Sequence, residues 1–523
     1  MNKDLDDRLI PSNEYKDALN IAVSNSEDSD VGALENILQN TNIYPISSET
    51  NIGEDNGKII GKIVNPANDE IYLFYTNYKD TSTDKLSNHQ ASSFGEYTNS
   101  TIIRYNPVLP SGESSQLVFG KFLNFSETSP IHGINIVEDF LFWTDDRNQP
   151  RKINIKRAAA NRFHYTSEDD ISVAKFAPYT PIDLYKTYDD NVVRTTMKDA
   201  TSELLPDGST ANPDYNPLYA GDSNYLEDKF ARFSYRFKYE DGEYSIMAPF
   251  TQIAFIPKQD GSFLDRYDAN GNLISSDETL AFTSTIVAFM ENKVDQISLV
   301  INLPGAGEDL HADYKIKEID ILYKESDRIA VSVLDTVSVA EVALQSLATN
   351  VYEYSYQSRK PVRTLPQNQS TRVYDKTPVR ALAQEVSGNR VIYGNFVNKH
   401  TAPDHLDYQV TVNQKFRSGL VDNNWAYTEY PEHTVKRNRN YQVGFILSDR
   451  YGRQSDVILS SVIDNNSVNG TFGASTFYVP YRPSATSPTT FLADIGNSIK
   501  IQLNETIKSI RSPLSLTNSI STG

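Results

Sequence analysis

"INIVEDFLFWTDDRNQPRKINI", residues 134–155, decides how the chain is read. A short apolar strand meets Glu138-Asp139, a second strand runs through Phe140 to Thr144, and a third begins at Arg151 and Lys152. Two adjacent carboxylates, Asp145 and Asp146, sit beside Trp143 where the second strand leaves into a loop. Such a pair can fix a turn by accepting backbone N–H groups. It can also serve acid–base chemistry or Ca²⁺, provided further ligands converge in space.

Two other stretches fall into register with it, "KIVNPANDEIYLFYTN" (62–77) and "QEVSGNRVIYGN" (384–395). Each is a strand, a tight turn of Asn, Asp, Gly or Pro, and a strand closing on an aromatic, a small residue and Asn or Asp. The positions matching Asp145 are Asn77 and Asn395. Asn keeps a turn bond and cannot act as a charged acid or base, so the repeat favours the turn. A strand, turn, strand, loop, strand unit at irregular spacing predicts the blades of a β-propeller with long insertions. Ile71, Leu73 and Tyr75, Phe140 and Phe142, and Val391 and Tyr393 are then the side chains expected against the next blade.

Composition sets the frame for that repeat. The chain has 523 residues, which implies about two to four domains, and 39% hydrophobic against 22% charged residues, as in a globular protein. No apolar run is long enough to span a membrane, and the acidic start MNKDLDDRLIPSNEY is not the pattern of a secretory signal. There is no Cys, which removes disulfides, thiolate metal sites and Cys nucleophiles together. With 32 Tyr and 23 Phe against 2 Trp and 4 Met, the expectation is a mainly β protein. The net charge of −19 opposes stable wrapping of nucleic acid. An acidic wall would still let DNA slide past.

Between the second and third repeats the pattern changes. "RFSYRFKYEDGEYSIMAPF" (232–250) alternates Phe233, Tyr235, Phe237 and Tyr239 with Ser234, Arg236, Lys238 and Glu240, then turns at Asp241-Gly242. With further strands in 316–327 and 328–339 it predicts an inserted sandwich of immunoglobulin or fibronectin type. The Pro-bearing stretches 206–219 and 359–369 read as its linkers. A second hairpin, 441–459, is expected to turn near Tyr451-Gly452. The expected division is 1–219 for the N-terminal segment and first blades and 220–365 for the sandwich. It continues with 366–480 for the remaining blades and hairpin, and 481–523 for a linker and the start of a further β segment. The ending at Gly523 is expected to be the edge of a longer precursor.

Other candidate sites read as structural. "YDANGNLISSDE" (267–278) has Leu273 where a calcium loop needs Gly, so a hairpin on Asn270-Gly271 is expected. In "LPGAGEDLHADY" (303–314) the Gly pair lacks the Lys and helix of a phosphate loop. Its alternating Asp309, His311 and Asp313 would face one way, toward a metal, only as a strand. A solvated loop is the expectation. The seven His show no metal-site spacing, and His400 and His405 flank a loop at Pro403. No catalytic, cofactor-binding or metal residue is assigned, no cofactor is expected, and the chain is not expected to be an enzyme.

The stretch 9–40, "LIPSNEYKDALNIAVSNSEDSDVGALENILQN", carries a resemblance. Its Pro11 to Asn20 run, its Ser26-Glu27-x-x-Asp30 turn and its Gly32-Ala33-Leu34-Glu35-Asn36 segment resemble the tail nozzle family of short-tailed bacteriophages. These are also called stabilization or tail tubular B proteins, and the likeness is closest to the muzzle proteins of crAss-like phages. "FLFWTD" and "QPRKIN" share it, and it is continuous over about the first 160 residues. The resemblance implies a propeller body with inserted β domains and a homohexameric ring at the distal tail. It also implies docking on a tail ring or adaptor protein, an axial path for genomic DNA, and a place in the virion after assembly in the host cytoplasm. The competing expectations are a host-glycan-binding tail or surface protein, and a propeller glycosidase using carboxylates such as Asp145.

Overall fold

β-Branched and aromatic side chains fit a pleated, half-buried surface, and the strands form where these residues cluster. The computed structural model describes residues 57–80, 100–106, 113–189, 192–255 apart from 196, 199–200, 205–207, 214 and 223, and 291–304 apart from 293. It further describes 309–346, 351–370 apart from 362, 375–414 apart from 389, 435–461, 475–480 and 497–504. Short pieces at 6, 8–11, 21–23, 34–36, 266–267 and 273–275 complete it. The protein is mainly β.

The first repeat unit is an antiparallel meander of Lys58–Asn65, Glu70–Thr76, Ser100–Asn106 and Glu113–Phe119 in chain order. Its first turn places Asp69 in the left-handed region, which Asp tolerates, while the Asn65 side chain accepts from the Ala67 N–H at 3.2 Å. The second unit is the meander Gly133–Val137, Phe140–Thr144 and Arg151–Asn154. Ile134 pairs with Trp143 and Val137 with Phe140. Both units share one core of Tyr72, Phe74, Ile102, Leu117, Phe125, Leu141, Trp143 and Ile153. Phe74 lies 5.5 Å from Trp143 and meets Phe125 edge-on at 5.9 Å.

This core corrects the expected facing. Leu141 and Trp143 are fully buried, while Phe140 and Phe142 are only half-buried. In the first unit Tyr72 and Phe74 enter the main core, and Tyr75 with Ile103 forms a small second cluster on the other face. The apolar residues occupy both parities of these strands, so period alone did not fix which face is inner.

The third unit is the hairpin Arg380–Ser387 and Arg390–Val397, with Gly388 at φ 55° in the turn. Asn395 does not follow the strand as Asn77 and Asp145 do; it lies inside Arg390–Val397 with a left-handed backbone. The hairpin packs on the second unit. A Cβ at Gly133 would stand 2.6 Å from the Gln384 backbone nitrogen, and Gln384 Nε2 donates to Asn135 Oδ1 at 3.0 Å. On the other side, the Ile131 N–H donates to the Ile60 carbonyl at 2.8 Å. The three units therefore stand side by side, and among the described residues the sheets do not close into a ring or barrel.

Two more antiparallel sheets lie between the second and third units in sequence. One orders Ala231–Tyr239, Ile316–Glu325, Ser332–Ser338 and Arg363–Thr364; the other orders Met197–Lys198, Gln296–Asn302 and Val351–Tyr356. They line a common core of Phe233, Tyr235, Phe237, Ile319 and Ile321 with Ile297, Leu299, Ile301, Tyr352 and Tyr356. The chain turns at Asp241-Gly242, Gly242 having φ 78°, and returns along the long strand. Ser245, Ala248, Thr251 and Ala254 donate in succession to Phe237, Tyr235, Phe233 and Ala231. The two Pro-bearing stretches bond to this unit: Tyr219 Oη donates to the Asp295 carbonyl at 3.1 Å, and Arg363–Thr364 adds a strand.

The C-terminal part gathers Tyr408–Gln414, Asn497–Leu503, Arg439–Gln442 and Thr476–Val479 around Tyr408, Val410, Ile458 and Phe477. The hairpin 441–459 turns at Tyr451-Gly452, with φ 81° at Gly452 and Phe445 opposite Ile458. Asn270-Gly271 falls outside the described residues, though Arg266–Tyr267 and Leu273–Ser275 on either side pair antiparallel.

Candidate functional site: a buried arginine junction

Asp145 is buried, and its loop encloses it. Its Oδ1 accepts from the backbone N–H of Arg147 at 3.1 Å and of Asn148 at 2.7 Å, and Oδ2 accepts from Asn148 Nδ2 at 2.6 Å. These bonds convert the end of a strand into a tight turn. Asp146 is left-handed, at φ 52°, and its N–H donates to the Ala381 carbonyl at 2.9 Å. The first carboxylate shapes the turn, and the second residue's backbone ties that turn to the neighbouring hairpin.

Three arginines reach outward from this point. Arg147, buried, pairs with Asp80 and donates to the Asn124 carbonyl at 3.0 Å and to its Oδ1 at 3.1 Å. Arg151, also buried, donates to the Leu123 carbonyl and to Glu168 Oε1 at 3.3 Å; burial lowers its pKa to about 10, against the opposing pull of Asp145. Arg453 comes from the tip of the 441–459 hairpin. It donates to Asp449 Oδ2 at 2.6 Å, to the Pro378 carbonyl at 3.0 Å and to Gln149 Oε1 at 2.9 Å. Beside it, the Tyr451 hydroxyl donates to Asp169, and Arg450 pairs with the same carboxylate at 2.8 Å. One hairpin tip thus clasps the second repeat, the start of the third, and the Glu168–Ile171 helix.

A second ionic cluster joins the second repeat to the aromatic unit. Lys152 lies 2.8 Å from Glu243 and 3.4 Å from Asp241, and Arg157 pairs with Asp241 and with Glu240 at 3.2 Å. Glu240 also meets His164 at 3.3 Å and His311 at 3.0 Å. The His164 hydrogen bond holds the Glu240 carboxyl below its usual range in spite of burial, with Arg157 and His311 acting the same way. Burial pushes the Lys175 ammonium down, opposed by Glu243. Lys175, Glu243, Arg236, Tyr244 and Gln369 line a cleft of about 260 Å³ beside this cluster. Arg236 is occupied there by Asp320 at 2.8 Å and Gln369 at 2.9 Å.

Asp309, His311 and Asp313 form a turn, not a strand: Asp309 Oδ1 caps the N–H groups of His311 and Ala312, and Asp313 bonds back to Asp309. Their side chains do not converge. No group of three or more His, Asp or Glu among the described residues is placed to hold a metal ion. His400 meets Asp449 at 3.1 Å, and His405 lies in a short strand beside Leu459. No helix among the described residues is long and apolar enough to cross a membrane.

Of the residues singled out by sequence, Asp145, Asp146 and Arg151 belong to the arginine junction, while Lys152 belongs to the second cluster, on Asp241 and Glu243. Arg147, Asp80, Asn124 and Arg453 were not singled out. Apart from Asp449, four residues from Arg453, the partners of these side chains named above lie 23 to 304 residues away, beyond any local spacing. The only sequence signal was the density of Arg, Asn and Gln directly after an aromatic strand.

Fold and site together define a mainly β protein whose buried charges are used to fasten one sheet to the next. Residues 1–187 match the family model of the Crassvirus muzzle protein, so over that span the chain is similar to a bacteriophage structural protein. No curated protein matches the chain.

Proposed function

We propose that the chain is a tail nozzle, or muzzle, subunit at the distal end of a short phage tail, where a homohexameric ring of copies forms part of the DNA exit conduit. The match of residues 1–187 to the muzzle family carries this reading. The repeats at 58–154 and the hairpin 380–397 act as propeller blades, and the two sheets of the aromatic unit act as an inserted sandwich of immunoglobulin or fibronectin type. The domains run 1–219, 220–365, 366–480 and 481–523.

The physics of the junction supports a mechanical role. A carboxylate already accepting from its own loop, as Asp145 does, is an anchor and not a free acid or base. The charge of −19 suits an element beside which DNA slides without being held. Ring or adaptor proteins above supply the docking surface, and the ring is assembled into virions in the host cytoplasm. Gold-labelled antibody against this chain, applied to intact particles, is expected to mark the tail tip. Label absent from particles and confined to host cytoplasm would refute the proposal.

A further inference from the structure

An ammonium taken out of water needs acceptors for its three N–H donors. Lys175 lacks them. Its side chain is 9% exposed, and the nearest carboxylate oxygen, Glu243 Oε2, stands 3.9 Å away, beyond hydrogen-bond reach. Among the described residues its Nζ makes no hydrogen bond. Glu243 turns its other oxygen to Lys152 at 2.8 Å, so no contact neutralises Lys175. This side chain lines the cleft of about 260 Å³ between the second repeat and the aromatic unit.

Arg236 lines the same cleft and is held in place. Its Nε and Nη2 donate to Asp320 Oδ2, its Nη1 donates to Gln369 Oε1, and the guanidinium lies 3.8 Å from the centre of the Tyr244 ring. One N–H on each Nη is left over. Asp320 is shared with Arg363 at 3.6 Å, so it does not cancel Arg236 alone. Two cations and one carboxylate, Glu243, therefore line the cleft, and the rest of its wall includes the apolar Val173, Ile246 and Met247. The wall is fixed from both sides: the Val173 N–H donates to the Pro150 carbonyl at 3.0 Å, and the Ser245 N–H to the Phe237 carbonyl at 2.9 Å. Spare donors call for an acceptor-rich anionic head, and the apolar wall calls for hydrocarbon beside it. The volume lies below the range of about 300–1,000 Å³ that suits drug-sized ligands, which limits the occupant to a few carbons.

We propose that this cleft binds a small organic carboxylate, whose oxygens accept from Lys175 Nζ with Arg236 as the second cation, and whose short alkyl chain lies on Val173, Ile246 and Met247. The site is built by three parts of the chain: the segment after the Glu168–Ile171 helix, the aromatic unit, and Gln369 on the way to the third repeat. A ligand there bridges all three and stabilises the folded chain by mass action. The inference does not depend on the tail assignment. The test is isothermal titration calorimetry and thermal melting of the full chain with butyrate, with the uncharged butyramide, and with inorganic phosphate at equal ionic strength. The variants are Lys175→Met, which keeps the apolar stem, and Val173→Phe, which fills the cleft. Lys156→Met, altered at an exposed lysine, serves as control.

The native chain and the control are expected to bind butyrate and to melt at a higher temperature in its presence. Butyramide is expected to bind at least about tenfold more weakly, and butyrate to lose about tenfold or more in each cleft variant, the scale of one lost charged hydrogen bond. Butyrate and butyramide binding alike would overturn the proposal, and that comparison needs no variant to fold. Butyrate binding unchanged in both cleft variants, or weakened equally in the control, would overturn it too. So would a native chain that gives neither heat nor a melting shift with butyrate, or one that takes phosphate in preference to it.

Discussion

The aromatic two-sheet unit and the N-terminal repeats are held together by different means. In the former, Phe233, Tyr235 and Phe237 enter a core of Ile, Leu and Tyr, and Phe233 meets Tyr323 and Tyr356 edge-on at 5.9 and 5.3 Å. In the latter, a modest aromatic core is fastened to its neighbours by buried Arg147, Arg151 and Arg453, each reaching another segment. A packed core is non-directional and holds one unit together. A guanidinium fork fixes the angle between two units. In the N-terminal repeats the buried arginines sit at seams, whereas the buried pair of the aromatic unit, Arg236 with Asp320 at 2.8 Å, joins neighbouring strands of one sheet.

The largest effect tests the core. Phe233→Ala is expected to destabilise the unit by about 3–5 kcal/mol, the cost of a large aromatic cavity, read by denaturant unfolding monitored through Tyr fluorescence. A loss below about 1 kcal/mol would mean that the two sheets do not share a rigid core. At the seam, Asp145→Ala strips the acceptor from the Arg147 and Asn148 N–H groups. It is expected to cost about 2–3 kcal/mol, the penalty for buried donors left without partners, and to speed proteolysis at the joint between the second repeat and the 380–397 hairpin. Equal proteolysis of variant and native chain would place the seam elsewhere.

A pH titration sharpens the contrast further. Glu240 is depressed in the folded state, so its contribution is fully present above the unfolded carboxyl value of 4.5 and is lost as the pH falls through the lower folded value. Acid unfolding followed by circular dichroism should show a shallower slope below pH 4.5 for Glu240→Gln than for the native chain. Superimposable curves would count against the His164 and Arg157 clasp. The smallest effect belongs to a side chain at neither core nor seam: Tyr179→Ser, 71% exposed in the native chain, should change stability by less than about 0.5 kcal/mol.

The parts legible in the sequence are those written in local period and turn chemistry. The alternation at 233–239, the turns at Asp241-Gly242 and Tyr451-Gly452, and the strand pairs within 62–77 and 134–155 all stand where the residues point. The inner face of Phe140–Thr144 was not legible, because apolar residues fill both parities and only the neighbouring sheet decides. Nor was the seam. Arg453 meets Gln149 across 304 residues and Gln384 meets Asn135 across 249, and pairs so distant leave no spacing to read. Asp145 forms a turn, as Asn77 at the matching position of the first repeat suggests, whereas Asn395 lies inside its strand and does not match.

A reconstruction of the intact tail tests the central claim most directly. Several copies of this chain are expected around an axial, DNA-wide channel at the distal end, with the arginine seams buried inside each copy. Copies located in the capsid shell, or particles whose tails lack the chain altogether, would contradict it.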